Sequence, residues 1–167
     1  MNAIRIPGRV LRFLEQYANV AFAGTRSREL VPYGHRVSGW VVGDGGQTLV
    51  ALIPASSTSH LLESLQDNGE LALTVEEFPS HETYQFKGRY LRHRGVQPGD
   101  AAVVDRIRER FVKGIRHVYS DAPQRLFDAY IQNATIAVEF EVQEIFVQTP
   151  GPGAGQRLAP PAESSAR

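Results

Sequence analysis

Gly43-Asp44-Gly45-Gly46 separates two apolar runs, Arg36 to Val42 and Gln47 to Ile53, and this turn constrains the fold more than any other feature. Glycine and aspartate accept the backbone angles that a tight connection between antiparallel strands demands. The spacing therefore predicts a hairpin. A lone hairpin is marginal in water, so further strands and covering helices must complete the layer.

The second run leads directly into the next signal. Leu49 to Leu73 reads LVALIPASSTSHLLESLQDNGELAL: an apolar strand, a proline, a hydroxyl cluster (Ser56, Ser57, Thr58, Ser59) and a helix with Leu61, Leu62 and Leu65 on one face. Asn68-Gly69 supplies its C-terminal stop. Upstream, Val10, Leu11, Leu14 and Tyr17 recur at helical spacing behind Pro7-Gly8. Val20-Ala21-Phe22-Ala23-Gly24 reads as a short buried strand. Thr25 to His35, polar and holding Pro32 and Gly34, reads as a loop or a wide hairpin connection.

Downstream, Glu70 to Glu76 is a strand, Phe78-Pro79-Ser80 a break, and Glu82 to Arg94 a long strand. Tyr84, Phe86 and Tyr90 share one of its faces; Thr83, Gln85, Lys87 and Arg89 share the other. Gly88 falls on the apolar face, where the missing side chain allows another backbone or a ring close. One helix uses Val103, Val104, Ile107 and Phe111 and ends near Gly114; another carries Leu126, Phe127, Tyr130 and Ile131. The last strand runs from Ala134 to Gln148, and its apolar positions change parity between Val142 and Ile145. That slip predicts a bulge near Gln143-Glu144.

Roughly six strands with short hairpins and flanking helices predict the fold class α+β, predominantly antiparallel and six-stranded, whose closure into a β-barrel would protect the strand edges. Residues 1–148 form its domain, and residues 149–167, rich in proline, glycine and serine, form a flexible tail.

Charge narrows the partners. Lysine plus arginine and aspartate plus glutamate both number 18, giving zero formal net charge. Nucleic acid is therefore not the expected partner. With no cysteine, disulfides and thiolate chemistry are absent. No apolar run reaches membrane-spanning length and no signal-peptide stretch opens the chain, so a cytoplasmic protein without membrane contact is expected.

Hydroxyls and free amides at a helix start suit a phosphate, so Ser56 and Ser57 are candidate ligands, with His60 an added donor. Simple helix capping is the competing reading of the same cluster. Gln85 suits the edge of a heterocycle, and Lys87 a phosphate or a reduced-flavin anion; a solvated strand face is their alternative. Arg36 is a further anion ligand. The five histidines lack metal-binding spacing, so no metal site is expected, and no residue is assigned as catalytic.

The blocks LRFLEQYANVAFAGTRSRELVP, RVSGWVVGDGGQTLVALIPASS, LLESLQDNGELALTVEEFP and HETYQFKGRY, in this order, resemble the pyridoxamine 5'-phosphate oxidase-like superfamily, the FMN-binding split barrels. The resemblance implies a homodimer with the flavin at the subunit interface. Arg36, Val37 and Ser38 would lie along the flavin, Ser56 and Ser57 would hold its phosphate, and Gln85 and Lys87 would face it from the neighbouring strand. It further implies an FMN-dependent oxidoreductase acting on a small molecule. The alternatives are a non-catalytic or sensory flavin-binding module, or a split barrel binding deazaflavin or haem. Two departures argue against pyridoxamine 5'-phosphate oxidation itself. The arginine-lysine pair that grips the phosphate in many members is replaced by Ser59-His60-Leu61. Arg157-Leu158-Ala159-Pro160 resembles the oxidase's C-terminal R-L-x-P, but the tryptophan that accompanies it is absent.

Overall fold

The computed structural model describes residues 2–158. Its elements are α1 (Gly8–Gln16), β1 (Val20–Arg26), β2 (Pro32–Arg36), β3 (Gly39–Val42), β4 (Thr48–Pro54), α2 (Ala55–Asn68), β5 (Glu70–Glu77), β6 (Glu82–Gly95), α3 (Pro98–Val118), α4 (Gln124–Tyr130) and β7 (Ala134–Val147). The strands form one seven-stranded sheet in the order β2-β1-β5-β6-β7-β4-β3, and every named pairing is antiparallel.

That order forces the sheet to curl. β2 and β3 are its two edges, yet only Val37 and Ser38 connect them. Three Cα steps reach at most about 11 Å, whereas seven flat strands would spread their edges roughly 29 Å apart. The edges must therefore come together. The Ser38 amide completes the approach by donating to the Leu52 carbonyl at 2.8 Å. The result is an α+β half-barrel of seven strands rather than six. The run from Arg36 to Val42 is divided between two strands, and Pro32 to His35, within the expected loop or wide hairpin connection, joins Arg36 in a strand that pairs with β1. The predicted hairpin is present, closed by a 3-10 turn over Asp44–Gly46 with Gly45 and Gly46 at positive φ.

Inward-facing Leu73, Phe86, Phe140, Val142 and Ile145 are fully buried. α1 seats Val10, Phe13 and Leu14 in this core, with Phe13 edge-on to Tyr84 at 5.0 Å. α3 covers the outer face at β3 and β4, where the absent side chain of Gly39 admits Ile107 and Val103. It extends a turn beyond Gly114. Asp100 anchors its start, accepting the Gln97 amide and a two-pronged ion pair from Arg94 at 2.6 and 3.0 Å. Among the described residues, no helix covers the outer face of β1, β5 and β6 in the same way. Phe22 is 44% exposed there, so β1 alternates rather than being buried throughout.

The parity slip in β7 is a bulge at the expected place: Lys87 opposes Glu144, but Gly88 opposes Val142, leaving Gln143 extra. The described part of the expected tail, residues 149–158, hydrogen-bonds back to β6 and β7. Val147 and Leu158 amides donate to Gln156 and Ile145 carbonyls, and Arg157 bridges to Phe146. The remainder of the expected tail lies outside the described residues. Among the described residues, no helix is long and apolar enough to cross a membrane.

Gly88 is where this packing tolerates least. A Cβ there would stand 1.8 Å from the Glu141 carbonyl oxygen and 3.1 Å from the Phe140 ring, while one at Gly24 would meet nothing within 4 Å. Overpacking typically costs about 1–3 kcal/mol. Gly88→Ala is expected to lose at least that in urea denaturation, with Gly24→Ala close to the parent; equal effects would contradict the bulge packing.

Candidate functional site

Chain direction brings β2's end to α2's start. Pro54 closes β4 and stands as N-cap of α2 without capping the helix through a side chain. The hydroxyl cluster therefore does not cap the helix. Ser57 accepts the Arg36 amide at 3.1 Å. Thr58 Oγ1 donates to the Pro54 carbonyl and shares a bond with Thr135 Oγ1, each at 3.1 Å. Ser56 donates to Gln132 Oε1 at 3.0 Å. The cluster ties α2 to β2 and to the segment entering β7.

Val37 and Ser38 are buried at 6% and 1% exposure. Ser38 Oγ is the one buried side-chain polar atom among the described residues that has no hydrogen-bond partner. A buried hydroxyl without a partner is costly and asks for an explanation. Arg36, two residues earlier, holds its guanidinium 5.0 Å above the Tyr130 ring, and its Nη1 donates to the Tyr130 carbonyl at 3.5 Å. Tyr130 in turn stacks on Phe111 at 5.1 Å. His60 lies apart on the exposed side of α2, stacked on Tyr33 at 6.1 Å and 3.5 Å from Glu63.

Gln85 and Lys87 belong to a second region. The register Arg36–Phe22, Phe22–Thr74, Thr74–Gln85 puts Arg36 and Gln85 on one face of the sheet, three strands apart. Strand spacing makes that roughly 14 Å, with β1 and β5 between β2 and β6. Gln85 Nε2 donates to Thr74 Oγ1 at 3.1 Å. Lys87 Nζ sits 4.7 Å over the Phe146 ring, in a groove of about 540 Å³ floored by Gly24 and Ala72. Arg157 joins this face opposite Phe146, paired with Glu144 at 3.1 Å.

Two contributors escaped the sequence reading. Tyr130 was one more apolar position of a helix, and Gln132 lay in a connection with no motif around it. Only the fold lays them against Arg36 and Ser56. No three histidine, aspartate or glutamate side chains converge among the described residues. The arrangement offers one cation, one orphaned hydroxyl and an uncapped helix start, a set suited to holding an anion.

The sequence matches no protein-family model and no curated protein. Solved structures share its fold. HupZ of Group A Streptococcus is 13% identical, with 90% of this chain and 99% of that one covered and a TM-score of 0.52. A candidate pyridoxamine 5'-phosphate oxidase of Lactobacillus delbrueckii is 12% identical, with 88% and 98% covered and a TM-score of 0.51. The chain thus shares the fold of these two solved structures.

His35, beside Arg36, makes the site sensitive to acid. It is 4% exposed and shares a 2.8 Å hydrogen bond with Thr25 Oγ1. Burial, then the nearby His60, pushes its pKa below the ordinary 6.5. The unfolded chain takes up this proton first, so stability present above pH 6.5 is lost as pH falls toward the folded value. His35→Gln is expected to flatten the parent's stability loss in acid, measured by denaturation midpoints from about pH 7 to pH 5; parallel curves would contradict it.

Proposed function

We propose that the protein binds FMN, with the phosphate held by Arg36, Ser56, Ser57 and the first amides of α2. The observation that carries this reading is the delivery of Arg36 to Ser57 beside the orphaned Ser38 hydroxyl. The cationic anchor missing at Ser59-His60-Leu61 leaves Arg36 as the principal charge on the phosphate. When bound, FMN supplies hydride or single-electron transfer through its ring system.

The chain's own part is to bind and orient. Tyr130 fixes the Arg36 guanidinium by a cation–π contact, a contribution of about 0.5–2 kcal/mol. Val37 and Ser38 form a buried wall that excludes water from the ring's flank. Gln85 and Lys87 stand too far from Arg36 to share a phosphate with it. We assign them to the ring end, or to the uncovered face of β1, β5 and β6, where a second copy of the chain docks to form a homodimer. The reading is completed as a cytoplasmic oxidoreductase acting on a small molecule. A flavin-binding module without turnover is distinguished by reduction with a nicotinamide cofactor and turnover of an acceptor. Deazaflavin and haem are separated from FMN by their absorption.

Riboflavin lacks the phosphate and so isolates the role of Arg36. A charge-assisted bond contributes about 1.5–3 kcal/mol, tenfold or more in affinity. Arg36→Ala is expected to weaken FMN binding by at least about tenfold and riboflavin by less than about twofold, read by flavin fluorescence titration. Equal losses, or a parent protein whose melting temperature ignores FMN, would overturn the reading.

A further inference from the structure

We propose a second ligand site in the cleft between α1 and α3, one that takes a flat aromatic ring bearing a carboxylate, sulfonate or phosphate. The cleft, about 930 Å³, is lined by none of the residues assigned to the flavin.

Its walls are fixed independently of any ligand. Asn19, 3% exposed, clamps the turn after β5 from both sides: its Nδ2 donates to the Phe78 carbonyl at 2.8 Å, and its Oδ1 accepts the Phe78 amide at 3.0 Å. α3 closes on the same turn at Gly114, where a Cβ would come within 2.5 Å of the Phe78 carbonyl oxygen. Such a preformed, largely apolar concavity suits a small organic ligand. Tyr17, 49% exposed, and Phe78 are the aromatic residues of its lining.

Charge selects the ligand's sign. Arg108, Arg110, Lys113 and Arg116 line the cleft with His117, against Glu77 and Glu109. Glu77 is turned to its own loop, accepting the Ser80 hydroxyl at 2.6 Å. Arg108 is matched by Asp105 at 2.6 Å, but among the described residues the other cations have no carboxylate within ion-pair distance. Arg110 donates only to the Leu14 and Ala18 carbonyls, at 3.5 and 3.0 Å. Arg116 lies 5.5 Å from the Phe127 ring centre. In a protein of zero net charge, this excess of arginine and lysine over the two carboxylates around an apolar floor favours an anion with a flat body.

The test titrates the full chain, saturated with FMN, by calorimetry with 2-naphthoate and with its uncharged counterpart 2-naphthalenemethanol. One naphthoate per chain is expected, at least about tenfold tighter than the alcohol. The double variant Lys113→Glu, Arg116→Glu, both exposed positions, should lose that preference and keep its melting temperature and its FMN affinity. Arg5→Glu, an exposed cation elsewhere, should leave naphthoate binding unchanged. The site is overturned if naphthoate binds no tighter than the alcohol, if the double variant binds it like the parent, or if neither compound binds. Failure of FMN to bind leaves this test intact, because the same titrations on flavin-free protein read the cleft alone.

Discussion

Everything in this fold depends on two residues, Val37 and Ser38, that connect opposite edges of one sheet. So short a link cannot cross a flat seven-stranded sheet, so curling is a consequence of chain connectivity and not of any single packing contact. The same link fixes what meets at the seam. Arg36 ends one edge, Ser38 approaches the other, and α2 begins beside both because β4 leads straight into it. The Arg36–Ser57 hydrogen bond and the Ser38–Leu52 hydrogen bond are the seam's two stitches.

Curling also divides the sheet's outer surface. α3 occupies the half over β3 and β4, and α4 folds back across the seam, anchored by Phe127, which is fully buried edge-on to Phe111. The other half, over β1, β5 and β6, stays open and carries Phe22, Lys87 and small residues at Gly24 and Ala72. An antiparallel sheet can leave one face to solvent, but an exposed phenylalanine among small residues also suits a second protein surface. The tail strengthens this edge: residues through Leu158 pair with β7 where β4 no longer reaches it, adding Arg157 to the same face.

Much of this was legible in the sequence wherever the signal was local. The Gly43–Gly46 turn, the stop at Gly69 and the bulge at Gln143 follow from turn chemistry and strand periodicity, which read only near neighbours. The close approach at Gly88 was legible too, although its partner, the Glu141 backbone, was not. Which strands pair was hidden, since apolar alternation does not name a neighbour; Arg36 to Val42 reads as one strand although its halves sit on opposite edges. Nor does alternation give the three strand spacings that separate Gln85 from Arg36. Tyr130 and Gln132 escaped because helix periodicity and loop composition carry no trace of what they cover. The tail's composition carries no trace of the backbone hydrogen bonds that residues through Leu158 make to β7.

The seam therefore gathers an arginine, a buried unpartnered hydroxyl and an uncapped helix start, and the account stands on what occupies it. The most direct measurement is a crystal structure of the protein grown with FMN. The account predicts the phosphate within hydrogen-bond reach of the Arg36 guanidinium and the first turn of α2. A phosphate seated against Lys87, or in the α1–α3 cleft, would contradict it, as would a seam that holds no flavin.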